Sequence, residues 1–178
     1  MAEWVIEPAT VEALPDILKI EEACFSAPWT RKMLEAELSG NPFAHFLVAK
    51  QIPRGEGGSV SIIGYLCFWV VFEEVRLMNL AVIESMQHKG IARALVTQAL
   101  ELGLAQAAMR AVLEVRASNH AAHALYRRLG FRDVTTRPMY YTNPIEDALL
   151  MELDPIVSGS APLMLEVSHE GGRIRPLQ

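Results

Sequence analysis

Ser85-Met86-Gln87-His88-Lys89-Gly90-Ile91-Ala92-Arg93 is the stretch on which the reading of this chain turns. Before it lies an apolar run, Leu77-Met78-Asn79-Leu80-Ala81-Val82, which reads as a strand. After it, Ala92, Leu95, Val96, Ala99, Leu100 and Leu102 recur at helical spacing and predict a helix to about Ala107. The polar segment is therefore a strand-to-helix turn. Gly90 lets the backbone take a positive φ or approach a ligand closely. The first turn of the new helix offers N–H groups without intrahelical partners, together with the positive end of the dipole. That is a cradle for an anion, suited to phosphates, and His88, Lys89 and Arg93 surround it with basic side chains. The competing reading is an ordinary loop whose glycine relieves strain, and a short turn alone does not separate the two.

Upstream, Trp4 to Glu7 reads as a first strand. Thr10 is placed to cap a helix whose stripe is Val11, Leu14, Ile17, Leu18, Ile20 and Ala23. Phe25-Ser26-Ala27-Pro28-Trp29 breaks that pattern. Thr30 then caps a second helix, with Met33, Leu34 and Leu38 on one face, ended by Gly40-Asn41-Pro42. Phe43 to Gln51, Val60 to Val71 and Val75 to Val82 form a three-strand meander, with Pro53 to Ser59 as a flexible hairpin loop. Downstream, Ala111 to Val115 is a strand reached through a helix, which implies a parallel βαβ unit. Ser118 or Asn119 caps a helix over Ala121 to Leu129, and Gly130 stops it. Phe131 to Arg137 and Ile145 to Leu153 are the last strands, joined by a loop from Pro138 to Pro144. The fold class is α/β with a mixed sheet: strand, two helices, three-strand meander, helix, strand, helix, two strands.

The length, 178 residues, fits one domain with a tail. We set the domain at residues 1–154. Residues 155–178 form an extension, with an added strand around Leu163 to Val167 or a disordered end. Half of the residues are apolar, which suffices for a core, and the net charge of −5 argues against a general nucleic-acid binder. The two cysteines, Cys24 and Cys67, show no metal-ligand spacing and read as reduced core residues of a cytoplasmic protein. No signal-peptide pattern is visible at Met1-Ala2-Glu3-Trp4. The longest apolar run, Ile62 to Phe72, is shorter than the roughly 20 residues that cross a bilayer.

In Val112-Leu113-Glu114-Val115-Arg116 a carboxylate interrupts a strand that parallel pairing would cover on both faces. Either this is an edge strand with Glu114 in water, or Glu114 stands at the mouth of a cleft to accept a proton. A carboxylate removed from water holds its proton more tightly and is then a better base near neutral pH. Asn119 is a helix cap that could also offer its amide to a bound amide-containing chain. Tyr126 follows Leu125 at the margin of a core stripe, where a tyrosine packs with a wet hydroxyl or donates a proton. His120 and His123 have no third ligand in the pattern and read as surface residues, so no metal is expected.

The segments Asn79-Leu80-Ala81-Val82, Gln87-His88-Lys89-Gly90-Ile91-Ala92, Leu113-Glu114-Val115-Arg116-Ala117-Ser118-Asn119 and Ala124-Leu125-Tyr126-Arg127-Arg128-Leu129-Gly130-Phe131 together resemble the GNAT superfamily of N-acetyltransferases. The glycine turn matches its Gln/Arg-x-x-Gly-x-Gly/Ala pattern, and the likeness runs from Trp4 to Leu153. The Leu-Glu-Val-Arg-Ala-Ser-Asn run is similar to the bacterial ribosomal-protein-alanine branch of RimI type. Phe25 to Thr30, and Met139-Tyr140-Tyr141 followed by Glu146-Asp147-Ala148, support that branch. Ile83-Glu84-Ser85-Met86 lacks the proline common before the glycine turn, and the tail is longer than the family core needs.

The resemblance implies acetyl-CoA as cofactor. Its pyrophosphate would rest on the backbone from Gln87 through His88, Lys89, Gly90, Ile91 and Ala92 to Arg93. Its pantetheine would lie along Leu80, Ala81 and Val82, with Asn119 and Tyr126 in contact. The resemblance makes Glu114 the general base for the incoming α-ammonium and Tyr126 the general acid for the departing thiolate, in direct transfer. Trp29, Glu35, Asn79, Tyr140 and Tyr141 would wall the peptide site. The implied partner is a protein N-terminus, with the alanine of a small-subunit ribosomal protein as target and neither nucleic acid nor membrane involved. The sequence leaves the oligomeric state open. Two other readings compete: a relative acting on a small amine or a lysine side chain, and a CoA-binding module without turnover.

Overall fold

The computed structural model describes residues 3–53, 59–157, 165–166 and 175–176. Its elements in chain order are β1 (Glu3–Pro8), α1 (Leu14–Cys24), α2 (Arg31–Glu35), β2 (Ala44–Ile52), β3 (Ser61–Val71), β4 (Glu74–Val82), α3 (Ile91–Ala105), β5 (Arg110–Arg116), α4 (His120–Arg128), β6 (Arg132–Thr142) and β7 (Ile145–Leu153). They build a seven-stranded sheet of order β1-β2-β3-β4-β5-β7-β6. Only β4 and β5 run parallel. They are joined through α3, because parallel neighbours need a crossover. Two-residue strands β8 (Leu165–Glu166) and β9 (Arg175–Pro176) pair with each other in a separate sheet. Of the strand expected over Leu163 to Val167, only Leu165 and Glu166 are described. The hairpin-loop expectation at Pro53 to Ser59 falls mostly outside the described residues.

Strand alternation sorts the core into two layers. Leu47 and Ala49 of β2 and Leu66 and Phe68 of β3 face α3, meeting Leu95, Val96 and Ala99. Phe46, Val48, Tyr65 and Cys67 face the other way, against Ile17 and Ile20 of α1 and Leu34 of α2. β3 is buried on both faces, hence its unbroken apolar run.

Several local expectations are corrected. Thr10 makes no capping bond. Its hydroxyl donates to Glu12 instead, and Val11–Ala13 forms a 3-10 turn before α1. The second helix has only five α-helical residues, capped by Thr30 as expected, and continues as a π turn over Ala36–Gly40. β6 extends to Thr142, through what the sequence marks as a loop. Pro138, which has no N–H to donate, sits where the β6–β7 register shifts between Arg137 and Tyr141. Cys24 is exposed and Cys67 is buried. The core also runs past Leu153: Ile156 is buried, and its N–H donates to Met109 O at 2.7 Å.

The feature that makes room for a site is a splay. Parallel pairing of β4 with β5 ends at Leu77 and Leu113. Beyond it, β4 continues to Val82 bonded only to β3, while Glu114, Val115 and Arg116 of β5 are bonded only to β7. Alternate peptide groups of β4 past Leu77 therefore face an open gap.

Candidate active site

The turn after β4 has the geometry its composition suggests. Gly90 caps α3 at φ 83°, His88 precedes it at φ 60°, and a Cβ on Gly90 would meet nothing within 4 Å. Gln87 Nε2 donates to Val82 O at 3.0 Å, tying the turn to the strand it leaves. A cavity of about 510 Å³ opens along this turn, bounded by the end of β4 and the start of α4. Leu80, Ala81, Val82, Gln87, His88, Gly90, Ile91, Ala92, Arg93 and Asn119 all line it. Asn119 Oδ1 accepts the Ala122 N–H at 3.1 Å, so it caps α4 and still presents its Nδ2.

Lys89 and Tyr126 are not among the residues that line the cavity. Lys89 Nζ turns back onto its own loop, 2.8 Å from Ser85 O, and its main chain stays in the turn. Tyr126 lies behind the lining, buried, with its ring edge-on to Phe131 at 5.7 Å. Met86, Ala121, Ala122, Ala124, Leu125 and Arg128 line the cavity without having been singled out. The small side chains at 121, 122 and 124 were the available signal, since three alanines on one short helix leave room beside it. A groove of small and apolar walls, ending on a free helix N-terminus with Arg93 and Arg128 nearby, fits an extended thioester with a diphosphate.

At the gap between β4 and β5 stands Glu114. β5 is an interior strand, which removes the edge-strand reading, and the Glu114 side chain is 13% exposed. Leu113 and Val115 belong to the α3 layer, so Glu114 faces the α1 side. It is not a lone desolvated carboxylate. Arg137 Nη1 lies 3.0 Å from it and Arg76 Nη1 3.7 Å. Burial pushes the Tyr126 phenol well above its ordinary range, and the neighbouring Tyr141 pushes it the same way. Tyr126 thus keeps its proton at neutral pH. Burial likewise pushes Tyr141 up to about 12, opposed by Arg116, whose guanidinium stacks 4.1 Å from the Tyr141 ring centre.

The expected peptide walls separate into groups. Tyr140 packs edge-on against Tyr141 at 5.2 Å, and Arg137 lies 5.7 Å from its ring. Trp29 is half-buried against the α1 layer. Asn79 projects from β4 onto the same face as Glu114. Glu35 is exposed and turned to Arg31 at 3.6 Å, on a solvated helix face. His120 is exposed, but His123 is half-buried, 3.6 Å from Asp133, which corrects its surface reading.

A ring of contacts surrounds the gap. Cys24 and Glu21 tie the end of α1 to β4, at Val82 O and Asn79. Ser26 donates to Asn143 O at 2.7 Å, and Asn143 Nδ2 returns a bond to Ser26 O at 3.2 Å. Arg116 of β5 holds the other side, donating to Asn143 O, Pro144 O and Glu146. Glu21 is the residue the sequence reading overlooked. It is wholly buried, and Tyr65 Oη, Asn79 Nδ2 and the Trp29 N–H all donate to it.

Among the described residues no helix is long and apolar enough to cross a membrane. The model of the acetyltransferase (GNAT) family matches residues 14–131. The ribosomal protein bS18-alanine N-acetyltransferase of Escherichia coli (strain K12) is 34% identical over 142 residues, 79% of this chain and 90% of that protein. The enzyme of the same name from Haemophilus ducreyi (strain 35000HP) is 30% identical over 152 residues, 84% of this chain and 99% of that one. The crystal structure of the E. coli ribosomal-protein-S18-alanine N-acetyltransferase superposes with a TM-score of 0.74 at 30% identity, covering 88% of this chain and 97% of that one. With the phosphate cradle, the splayed strands and a family match over most of its length, this chain belongs to the GNAT family and is an acetyl-CoA-dependent N-acetyltransferase.

Proposed function

We propose that this protein acetylates the N-terminal α-amine of a protein in the cytoplasm, with the N-terminal alanine of ribosomal protein bS18 as its target. The observation that carries the chemistry is Glu114, a carboxylate on an interior strand where β4 and β5 part, with Arg137 Nη1 3.0 Å from it. The target is supported by relatives of that name at 30–34% identity. Residues 1–154 would form the acetyltransferase domain and 155–178 an extension.

The turn from Gln87 to Arg93 would hold the diphosphate of acetyl-CoA on main-chain N–H groups, and Leu80, Ala81, Val82 and Asn119 its amide-bearing arm. Bound there, acetyl-CoA supplies an acyl group already activated as a thioester. A main-chain N–H of β4 facing the gap would polarise the acyl oxygen. Glu114 would take the proton of the incoming ammonium, directly or through water, making the amine nucleophilic. Arg137 and Arg76, 3.0 and 3.7 Å away, would orient its carboxylate for that step. Tyr126, kept protonated by burial, would hold a proton at Oη for the sulfur. Trp29, Asn79, Tyr140 and Tyr141 would wall the peptide. Glu35, turned outward, could meet only residues further along it.

Mass spectrometry of the purified chain with acetyl-CoA and a peptide panel tests the reading. The expected product is acetylation confined to peptides with an N-terminal alanine. Products on lysine side chains or small amines would replace the substrate class. CoA binding without any product would make the chain a binding module.

A further inference from the structure

Glu21 needs a reason to be where it is. Its side chain is wholly out of water near the end of α1, and burying a carboxylate is costly unless donors converge on it. Here three do. The Trp29 N–H reaches Oε2 at 2.6 Å, Asn79 Nδ2 reaches Oε1 at 2.5 Å, and the Tyr65 hydroxyl donates to Oε1. Burial pushes the Glu21 carboxyl upward, and the bonds from Tyr65 and Trp29 oppose it. A hydrophobic residue would fill the same core position at less cost, so the geometry the carboxylate imposes is the thing to explain.

That geometry fixes Asn79. A carboxamide has two N–H donors and one oxygen acceptor. Nδ2 of Asn79 is directed inward, toward Glu21 Oε1 and toward Tyr65 Oη at 2.9 Å. A carboxylate cannot donate, so the amide cannot turn over without setting oxygen against oxygen. Oδ1 is thereby held away from the cluster, and no described residue donates to it. Asn79 lies two residues beyond Leu77, the last β4 residue paired with β5, on the face that also carries Glu114. The same carboxylate holds the Trp29 main chain, in the loop that Ser26 ties to Asn143.

We propose that Glu21 is a positioning residue for the acceptor amine: through Asn79 it fixes a carboxamide oxygen beside the β4–β5 gap, and through Trp29 it holds the loop facing that oxygen. After Glu114 takes one proton from the ammonium, the amine keeps two N–H groups and one lone pair. Asn79 Oδ1 accepts one of those N–H groups and so turns the lone pair toward the acyl carbon. This rests on the α-amine reading above.

Glu21→Gln is the telling substitution. Glutamine offers one oxygen where the cluster uses two. If its Nε2 faces Asn79, that amide turns over and presents a donor to the amine. If it faces Trp29, two N–H groups collide and the loop moves. Steady-state kinetics of the full chain should show kcat for an N-terminal-alanine peptide lowered about 10- to 100-fold, the size of effect a misplaced reactant produces. The acetyl-CoA KM should be unchanged. The pH profile of kcat should drop without changing shape, because Glu21 moves no proton in the reaction. The double variant Glu21→Gln/Asn79→Ala should be no slower than Asn79→Ala, since one residue acts through the other.

A folded Glu21→Gln protein with wild-type peptide kcat overturns the proposal, and so do losses that multiply in the double variant. If Glu21→Gln does not fold, Tyr65→Phe decides. It removes one donor and keeps the ring, and unchanged peptide kcat would overturn the proposal equally. A wild-type chain that leaves α-amines unacetylated removes the functional reading and this inference together. An active wild type indifferent to Glu21→Gln removes the inference alone.

Discussion

At the scale of single residues, Glu114 and Tyr126 sit in opposite environments. Glu114 lies among guanidinium groups and keeps its charge partners within 3.0 and 3.7 Å, while Tyr126 lies among apolar side chains and keeps its proton. Glu114→Gln retains size and removes the proposed base. Turnover should fall by about 10²–10⁴-fold, with acetyl-CoA affinity by calorimetry nearly intact. Wild-type turnover of that variant across the pH range would remove Glu114 from the role. Glu114 was legible because it interrupts an apolar strand, and Asn119 because a cap has a residue preference. Glu21 was not, since Glu21-Glu22 on an amphipathic helix reads as a solvated pair. The signal was its phase: Glu21 is four residues beyond Ile17, on the stripe that packs into the sheet. Lys89 shows the reverse. Its charge suggests a ligand, and only the fold reveals that its ammonium is taken by the carbonyl of Ser85.

At the scale of elements, β4 is a wall built to a close tolerance. A Cβ on Gly64 of β3 would meet Ala81 O at 2.9 Å and Val82 Cγ2 at 3.0 Å, and the first of these is main chain. Gly64→Ala must therefore push β4 outward where it lines the cavity. We expect a loss of about 1–3 kcal/mol in thermal unfolding, the usual cost of overpacking, with weakened acetyl-CoA binding measured by titration. A variant destabilised with full affinity would show that the strand end yields without moving the groove. The meander and the βαβ unit could be read in advance because strand length, apolar period and crossover length agree. The reach of β6 could not. Pro138 marks a break in sequence, and only pairing with β7 shows that a register shift absorbs it.

At the scale of the whole molecule, the core closes on a residue beyond the last strand of the main sheet. Ile156 packs among the α3-layer side chains and bonds to Met109. A chain ended after Asp154 should unfold more easily than one ended after Val157, by about 2–4 kcal/mol, the range for emptying an isoleucine site. Equal melting temperatures would show that Ile156 only follows the core. The boundary proposed at Asp154-Pro155 follows a change of composition, and the first residues of the extension still pack on the domain through Ile156. The ring through Ser26, Asn143 and Arg116 has a bearing on what the gap can admit. Hydrogen bonds span it from β4 to β5, so it works like a needle's eye instead of a slot. A polypeptide passes such an eye by its tip, as thread does, and the middle of a chain would have to double over to follow.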